Sequence, residues 1–235
     1  MNLEIETKLS APDDLVLPML DLTAAGLRTA EKPTKLTVTT YFDTESFDLF
    51  SCGAALRFRR SSQASRDEAG IWTLKFAPPA KGYVSSRFEF ELEASGVQVP
   101  LKFIPALAVF GAAEPFNKLA SLAAARRAII FETEAGLPVI ELDDDFVEIV
   151  EGPNQGLRFR EIEVEQMVQG FAKQAEEIAL HVLSAGASYA KSSSKLEQAL
   201  ENAKNQGFFS KLLDRYPHLV ISDLSVLAGL VLEDP

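Results

Sequence analysis

The 235-residue chain contains a single cysteine, Cys52, two histidines and one tryptophan. One cysteine excludes an intramolecular disulfide framework, and Cys52, with no partner base in view, is expected to be inert. His181 and His218 lack ligand spacing and are expected to be packing or surface residues. No apolar run approaches the roughly 18–20 residues of a membrane-spanning helix. The opening "MNLEIETK" is acidic and patterned, unlike a signal or transit peptide. Cations are outnumbered, 23 Lys and Arg against 34 Asp and Glu, for a net charge of −11. That balance speaks against a broad nucleic-acid face. It still allows an anionic small ligand where cations gather locally. A Gly-rich phosphate loop and a nucleophile motif are both absent. These absences point to a cytoplasmic protein without nucleic-acid or membrane partners.

What the sequence does have is alternation. "LEIETKL", "KLTVTTYFDT", "GAALRFRRS", "GIWTLKFA" and "SSRFEFELEA" each place apolar and polar residues at every second position, the period of a strand with two unlike faces. "RRAIIFETEAGLPVIELDDDFVEIVEG" reads as successive hairpin strands, with turns near 134–138 and 151–154, and "LRFREIEVEQM" as one more strand. The stretch from "PLKFIPALAVFG" to "FNKLASL" reads as irregular or helical. Residues 12–29, 169–186 and 193–204 have helical spacing; Gly186 ends the second, and a serine caps the third. The segment after residue 204 is apolar enough to dock. The chain therefore divides into a core over 1–204 and a helical extension over 205–235, packed on the core or on a second subunit. "RYPHL" within it reads as a structural turn.

The polar faces are rich in Glu and Arg. Glu4, Glu6 and Lys8 share one face, Arg57 and Arg59 another, and Lys75 a third. Arg87, Glu89 and Glu91 share a fourth, and Glu161, Glu163 and Glu165 a fifth. Any single such strand is ordinarily a wetted face. Glutamates crowded on one face repel unless something positive lies between them. About eight antiparallel strands with this pattern predict an α+β fold: a closed antiparallel eight-stranded β-barrel, a tunnel with a charged interior and helices packed outside. Arginines and lysines in such a lumen can clamp phosphate oxygens. Paired carboxylates are hard ligands for Mg²⁺ or Mn²⁺. Tyr41 and Phe42 are expected to be packing residues, and Leu3 and Ile5 to lie outward beneath helices.

Glu4-Ile5-Glu6-Thr7-Lys8 resembles the E-x-E-x-K signature of the CYTH domain, the triphosphate tunnel metalloenzymes. The resemblance runs through about residues 1–200 in the family's order. It takes in Arg57-x-Arg59, Lys75, Arg87-x-Glu89, a later arginine, the aspartate of "LDD", Glu161-x-Glu163 and Ser194-Lys195. It implies that Glu4, Glu6, Asp143, Glu161 and Glu163 hold the metal. It also implies that Lys8, Arg57, Arg59, Lys75, Arg87 and Lys195 grip phosphate, Lys195 as a lid cation. Glu89, Lys75 and Lys195 are the residues expected at the reacting end. Arg126 and Arg127 compete for the later arginine because they point opposite ways; spacing to the following apolar pair favours Arg127. The family includes inorganic triphosphatases, thiamine triphosphatases and class IV adenylate cyclases. With no aromatic cluster assignable to an organic group, inorganic triphosphate is the first choice. Thiamine or nucleoside triphosphate hydrolysis, cyclase activity and a non-catalytic polyphosphate or nucleotide-binding module are the alternatives. Mg²⁺ or Mn²⁺ is the implied cofactor, a small-molecule triphosphate the partner, and a homodimer remains open.

Overall fold

The computed structural model describes residues 2–65, 67–76, 84–96, 98–192 and 194–200, together with Ala228 and Leu232. Eight strands close a barrel: β1 (Asn2–Ala11), β3 (Lys35–Asp43), β4 (Ala54–Ser61), β5 (Ala69–Phe76), β6 (Val84–Ser95), β7 (Asn117–Thr133), β8 (Pro138–Glu151) and β9 (Arg158–Gln166). Around the barrel the order is β1-β6-β5-β4-β3-β7-β8-β9, and β9 pairs back onto β1. Every pairing is antiparallel. Two short strands extend the sheet: β2 (Leu27–Glu31) along β7, and β10 (Ser188–Tyr189) along β1. The expected eight-stranded tunnel is thus the fold.

Alternation sorts the side chains. Leu56, Phe58, Trp72, Leu74 and Phe76 point out of the barrel and are buried beneath α1 (Asp48–Ser51) and α2 (Ile104–Val109), with Phe103 and Phe110. Ala228 and Leu232 belong to this cluster and are buried. The rest of the expected 205–235 extension, with His218 and "RYPHL", lies outside the described residues. Phe58 is gripped where Gly70 and Gly96 come close. A Cβ on Gly70 would lie 2.6 Å from both the Phe58 ring and the Arg59 carbonyl oxygen. A second outer cluster joins Leu9, Ile162 and Val164 of β1 and β9 to Ile178, Ala179 and Val182 of α3 (Ala172–Ser184). Gly186 (φ +115°) turns the chain just past this helix. Among the described residues no helix is long and apolar enough to cross a membrane.

Three expectations are corrected. Residues 12–29 do not form a helix; they hold only a 3₁₀ turn at Thr23–Ala25, followed by β2. Pro18 lies inside this stretch, where it removes a helix donor and clashes with the preceding turn. Arg160 takes the carbonyls of Pro12, Asp13 and Leu15 instead (3.2, 3.2 and 2.7 Å). "NKLASL", from Asn117 on, is the first part of β7, not irregular or helical chain. Leu3 is about half exposed rather than covered by a helix.

Candidate active site: a charged tunnel

The barrel register delivers the predicted charges to one lumen. Glu6 of β1 stands opposite Glu165 of β9, Lys8 opposite Glu163, and Lys75 of β5 opposite Glu89 of β6. Glu4, Lys8, Arg57, Arg59, Lys75, Arg87, Glu89, Asp143, Glu163 and Lys195 all line a cavity of about 200 Å³. Glu6 and Glu161 are buried beside it, each within 3.1 Å of one of its lysines.

Two ionic knots organise this wall. In the first, Lys75 Nζ donates to both Glu4 oxygens at 3.0 Å and also pairs with Glu89; Arg57 approaches Glu89 at 3.9 Å. Burial alone would raise the Glu89 carboxyl, but Lys75 and Arg57 hold it below its ordinary range. In the second, Lys195 Nζ meets Glu161 (2.6 Å), Glu163 (2.9 Å) and Asp145 (3.2 Å). Lys8 meets Glu163 at 2.7 Å and Glu6 at 3.1 Å. Burial opposes the charge on both lysines, yet their carboxylate neighbours raise their pKa values above the usual range.

The later arginine is Arg126, which corrects the expectation of Arg127. Arg126 lines the lumen, forks onto Asp145 (2.8 and 2.6 Å), and also pairs with Asp143 and Glu163. Arg127 points outward, its side chain 47% exposed, and meets Asp144 at 3.2 Å. The apolar pair that suggested otherwise misleads because the inward row of β7 is itself apolar around Arg126: Leu122, Ala124, Ala128 and Ile130 face the lumen. Outside, Asp144 and Arg160 form a buried two-point pair (2.8 and 3.0 Å).

Sequence reasoning missed two lumen residues. Asp145 hides in a run of three aspartates, of which parity sends the first and third inward. Tyr41, expected only to pack, is buried and lines the cavity. Cys52 is buried, and burial pushes its thiol up to about 11, in keeping with inertness. His181 sits on the α3 surface with Nδ1 2.8 Å from the Glu177 carbonyl oxygen.

The helix α4 (Lys195–Leu200) packs against the barrel through its buried Leu196, Ala199 and Leu200. Ser194 Oγ accepts the Glu197 N–H at 3.1 Å, the expected serine cap. Leu196, Ala199 and Leu200 pack with Tyr41, Ala120, Leu122, Val147 and Ile149, which seats α4 against β3, β7 and β8.

The donor chemistry suits a hard divalent cation, since every acid here supplies carboxylate oxygen. Asp143 Oδ1 is buried without a hydrogen-bond partner, and burial, followed by repulsion from other acids, pushes its carboxyl up to about 7. Glu165 is pushed up to about 8 by burial and then by Glu4, Glu6 and Glu89. This wall therefore holds more carboxylate than its lysines neutralise. Among the described residues no three carboxylates, histidines or cysteines are already gathered as a metal cage. The expected ligands Glu4, Glu6, Asp143, Glu161 and Glu163 are instead spread over Lys75, Lys8, Arg126 and Lys195.

The CYTH-domain family model matches residues 2–197. The chain belongs to this family, the triphosphate tunnel metalloenzymes, and is a triphosphate-acting, metal-dependent enzyme by that membership. Among solved structures it is similar to HpAC1 from Hippeastrum, named for adenylyl cyclase and with a dominant triphosphatase activity. That match has 21% identity and a TM-score of 0.61, and covers 86% of this chain and 98% of that one. It is also similar to a Bacillus halodurans protein named for adenylate cyclase (20% identity, TM-score 0.58, 84% and 98% covered). A Pyrococcus horikoshii protein matches at 20% identity and TM-score 0.51, again with 84% and 98% covered. At these identities the likeness is one of fold. No curated protein matches the sequence.

Proposed function

We propose that the tunnel hydrolyses inorganic triphosphate to diphosphate and phosphate. The observation that carries this reading is a pair of cations in search of an anion. Arg57 Nε is buried without a hydrogen-bond partner. Two residues on, Arg59 has only Thr39 Oγ1, at 3.3 Å, as a described hydrogen-bond partner. Arg57, burial and Arg126 together bring the Arg59 pKa down to about 10, so an incoming polyanion would relieve their mutual repulsion. Inorganic triphosphate needs nothing more than such a clamp. HpAC1's dominant triphosphatase activity is in keeping with hydrolysis.

Arg57, Arg59, Arg87 and Arg126, with Lys8, Lys75 and Lys195, bind and orient the phosphates and neutralise charge that spreads over their oxygens during transfer. Glu89, held ionised, accepts a hydrogen bond from the attacking water and aims its oxygen at the terminal phosphorus. A new P–O bond forms there, the bridging P–O bond breaks, and its electron pair leaves on diphosphate. Water's proton passes to solvent or product. Glu4, Glu6, Asp143, Glu161 and Glu163 would hold the cation. When bound, Mg²⁺ or Mn²⁺ supplies Lewis acidity and charge neutralisation at phosphate oxygens.

The test is phosphate release from tripolyphosphate, thiamine triphosphate and ATP with Mg²⁺ or Mn²⁺. Release of phosphate from tripolyphosphate supports the reading. Cyclic AMP from ATP would make the chain a cyclase, and tight binding without turnover a polyphosphate or nucleotide-binding module.

A further inference from the structure

Buried Glu161 is held by two neighbours of different character. Lys195 Nζ lies 2.6 Å from its Oε1, and Gln198 Nε2 donates to its Oε2 at 3.2 Å. Lys195 and Gln198 stand three residues apart on α4, a spacing that puts both on one face of the helix. Gln198 is itself pinned from outside. Asn154, in the turn between β8 and β9, donates from Nδ2 to its main-chain carbonyl oxygen at 2.9 Å.

These two bonds respond differently when the site is loaded. Lys195 also meets Glu163 and Asp145, and on the reading above it is one of the cations that grip phosphate. Its ammonium is repelled by a divalent cation at Glu161 and attracted by a phosphate beside it, so the Lys195–Glu161 contact loosens on both counts. The Gln198 amide has no net charge to be drawn away. A carboxylate has about four acceptor positions, so one amide bond leaves room for a cation. We propose that Gln198 is a positioning residue of this tunnel: its amide keeps Glu161 in place while Lys195 turns from that carboxylate to the substrate. The inference rests on Glu161 holding the cation and Lys195 gripping phosphate, and is independent of which triphosphate is taken. Hydrogen-bond partners behind a metal-binding side chain are typically worth about 10–100-fold in metal affinity or activity.

The experiment is Mn²⁺ binding to the full chain by calorimetry, beside the Mn²⁺ dependence of phosphate release from tripolyphosphate. It compares the unaltered protein with Gln198→Leu and Gln198→Asn. Leucine keeps the bulk and helix preference of glutamine without the amide. Asparagine keeps an amide but draws it back by one methylene. Both variants should bind Mn²⁺ roughly tenfold or more weakly. Both should need correspondingly more Mn²⁺ for half-maximal turnover and regain most of kcat at saturating Mn²⁺, which a merely structural loss would not do. Asn154→Ala should show the same defect to a smaller degree. Near-UV circular dichroism checks that each variant is folded. A folded Gln198 variant with unaltered Mn²⁺ affinity overturns the inference, as does a loss of kcat that saturating Mn²⁺ fails to restore. Absence of Mn²⁺ binding by the unaltered protein removes the metal assignment of Glu161 and the inference with it. Absence of tripolyphosphate turnover defeats the hydrolase reading alone, and the calorimetric comparison still decides the role of Gln198.

Discussion

Arg57 and Arg59 both direct their side chains into the lumen from β4, and of the two only Arg57 has a described carboxylate, Glu89, within 4 Å. Their closeness is unfavourable in the protein alone and favourable with a polyanion between them. Arg59→Ala should therefore leave thermal stability unchanged or slightly raised. It should also cut kcat/KM for tripolyphosphate by about a hundredfold or more. A variant that lost stability but kept activity would mark Arg59 as structural.

The two candidate arginines on β7 should part company. Arg126→Ala removes the described cation partner of buried Asp143 and one of the two of Asp145, and should cost roughly 3–5 kcal/mol as well as activity. Arg127→Ala breaks a half-exposed pair and should cost about 1 kcal/mol or less with full turnover. Chemical denaturation beside an activity assay on both variants decides the matter, and equal losses of activity would return Arg127 to contention.

Removing metal should silence the enzyme without unfolding it. The lumen acids Glu4, Glu6, Glu161 and Glu163 already have lysine partners, so the fold does not wait on a cation to gather them. Chelator should abolish phosphate release and shift the melting temperature little. A collapse of near-UV circular dichroism with chelator would show a structural metal instead.

A pH effect on stability is expected well away from the tunnel. Burial, partly offset by three backbone N–H donors, pushes Asp43 up to about 6 from an ordinary 3.8. Between those values the folded chain holds a proton that the unfolded chain has released. Asp43 therefore makes stability fall as pH rises from about 4 to 6, and adds no slope above that. Asp43→Asn should flatten this part of the stability–pH curve; an unchanged slope would assign it to other groups.

Leu232 tests the expected extension. It is 3% exposed and packed with Ala228 in the outer cluster beneath which Trp72 lies. Leu232→Ala should cost about 2–5 kcal/mol and leave the kinetics of the folded fraction alone. Lost metal-dependent turnover in a protein of undiminished stability would tie the tail to the active site.

Most of the barrel was legible because two-faced strands write their geometry into alternate letters. Arg57 with Arg59, Glu4 with Glu6, and Glu161 with Glu163 could be placed on shared faces before any coordinates. Parity alone could not choose between Arg126 and Arg127 on β7, because the inward row around Arg126 is apolar: Leu122, Ala124, Ala128 and Ile130 face the lumen with it. Asp145 was obscured because three consecutive aspartates carry no phase of their own. Residues 12–29 have helical spacing, but Pro18 and the Arg160 guanidinium decide their path, and the second of these is a long-range contact.

α4 seats Leu196, Ala199 and Leu200 against Leu122 and Val147, so the helix that begins with Lys195 backs one side of the charged lumen. On the hydrolysis proposed above, diphosphate has to be released by the same cations that held it before a fresh molecule can bind. A site that grips its substrate with Arg57, Arg59 and Lys195 must also let its product go from them, so on that reading tighter holding trades against faster turnover.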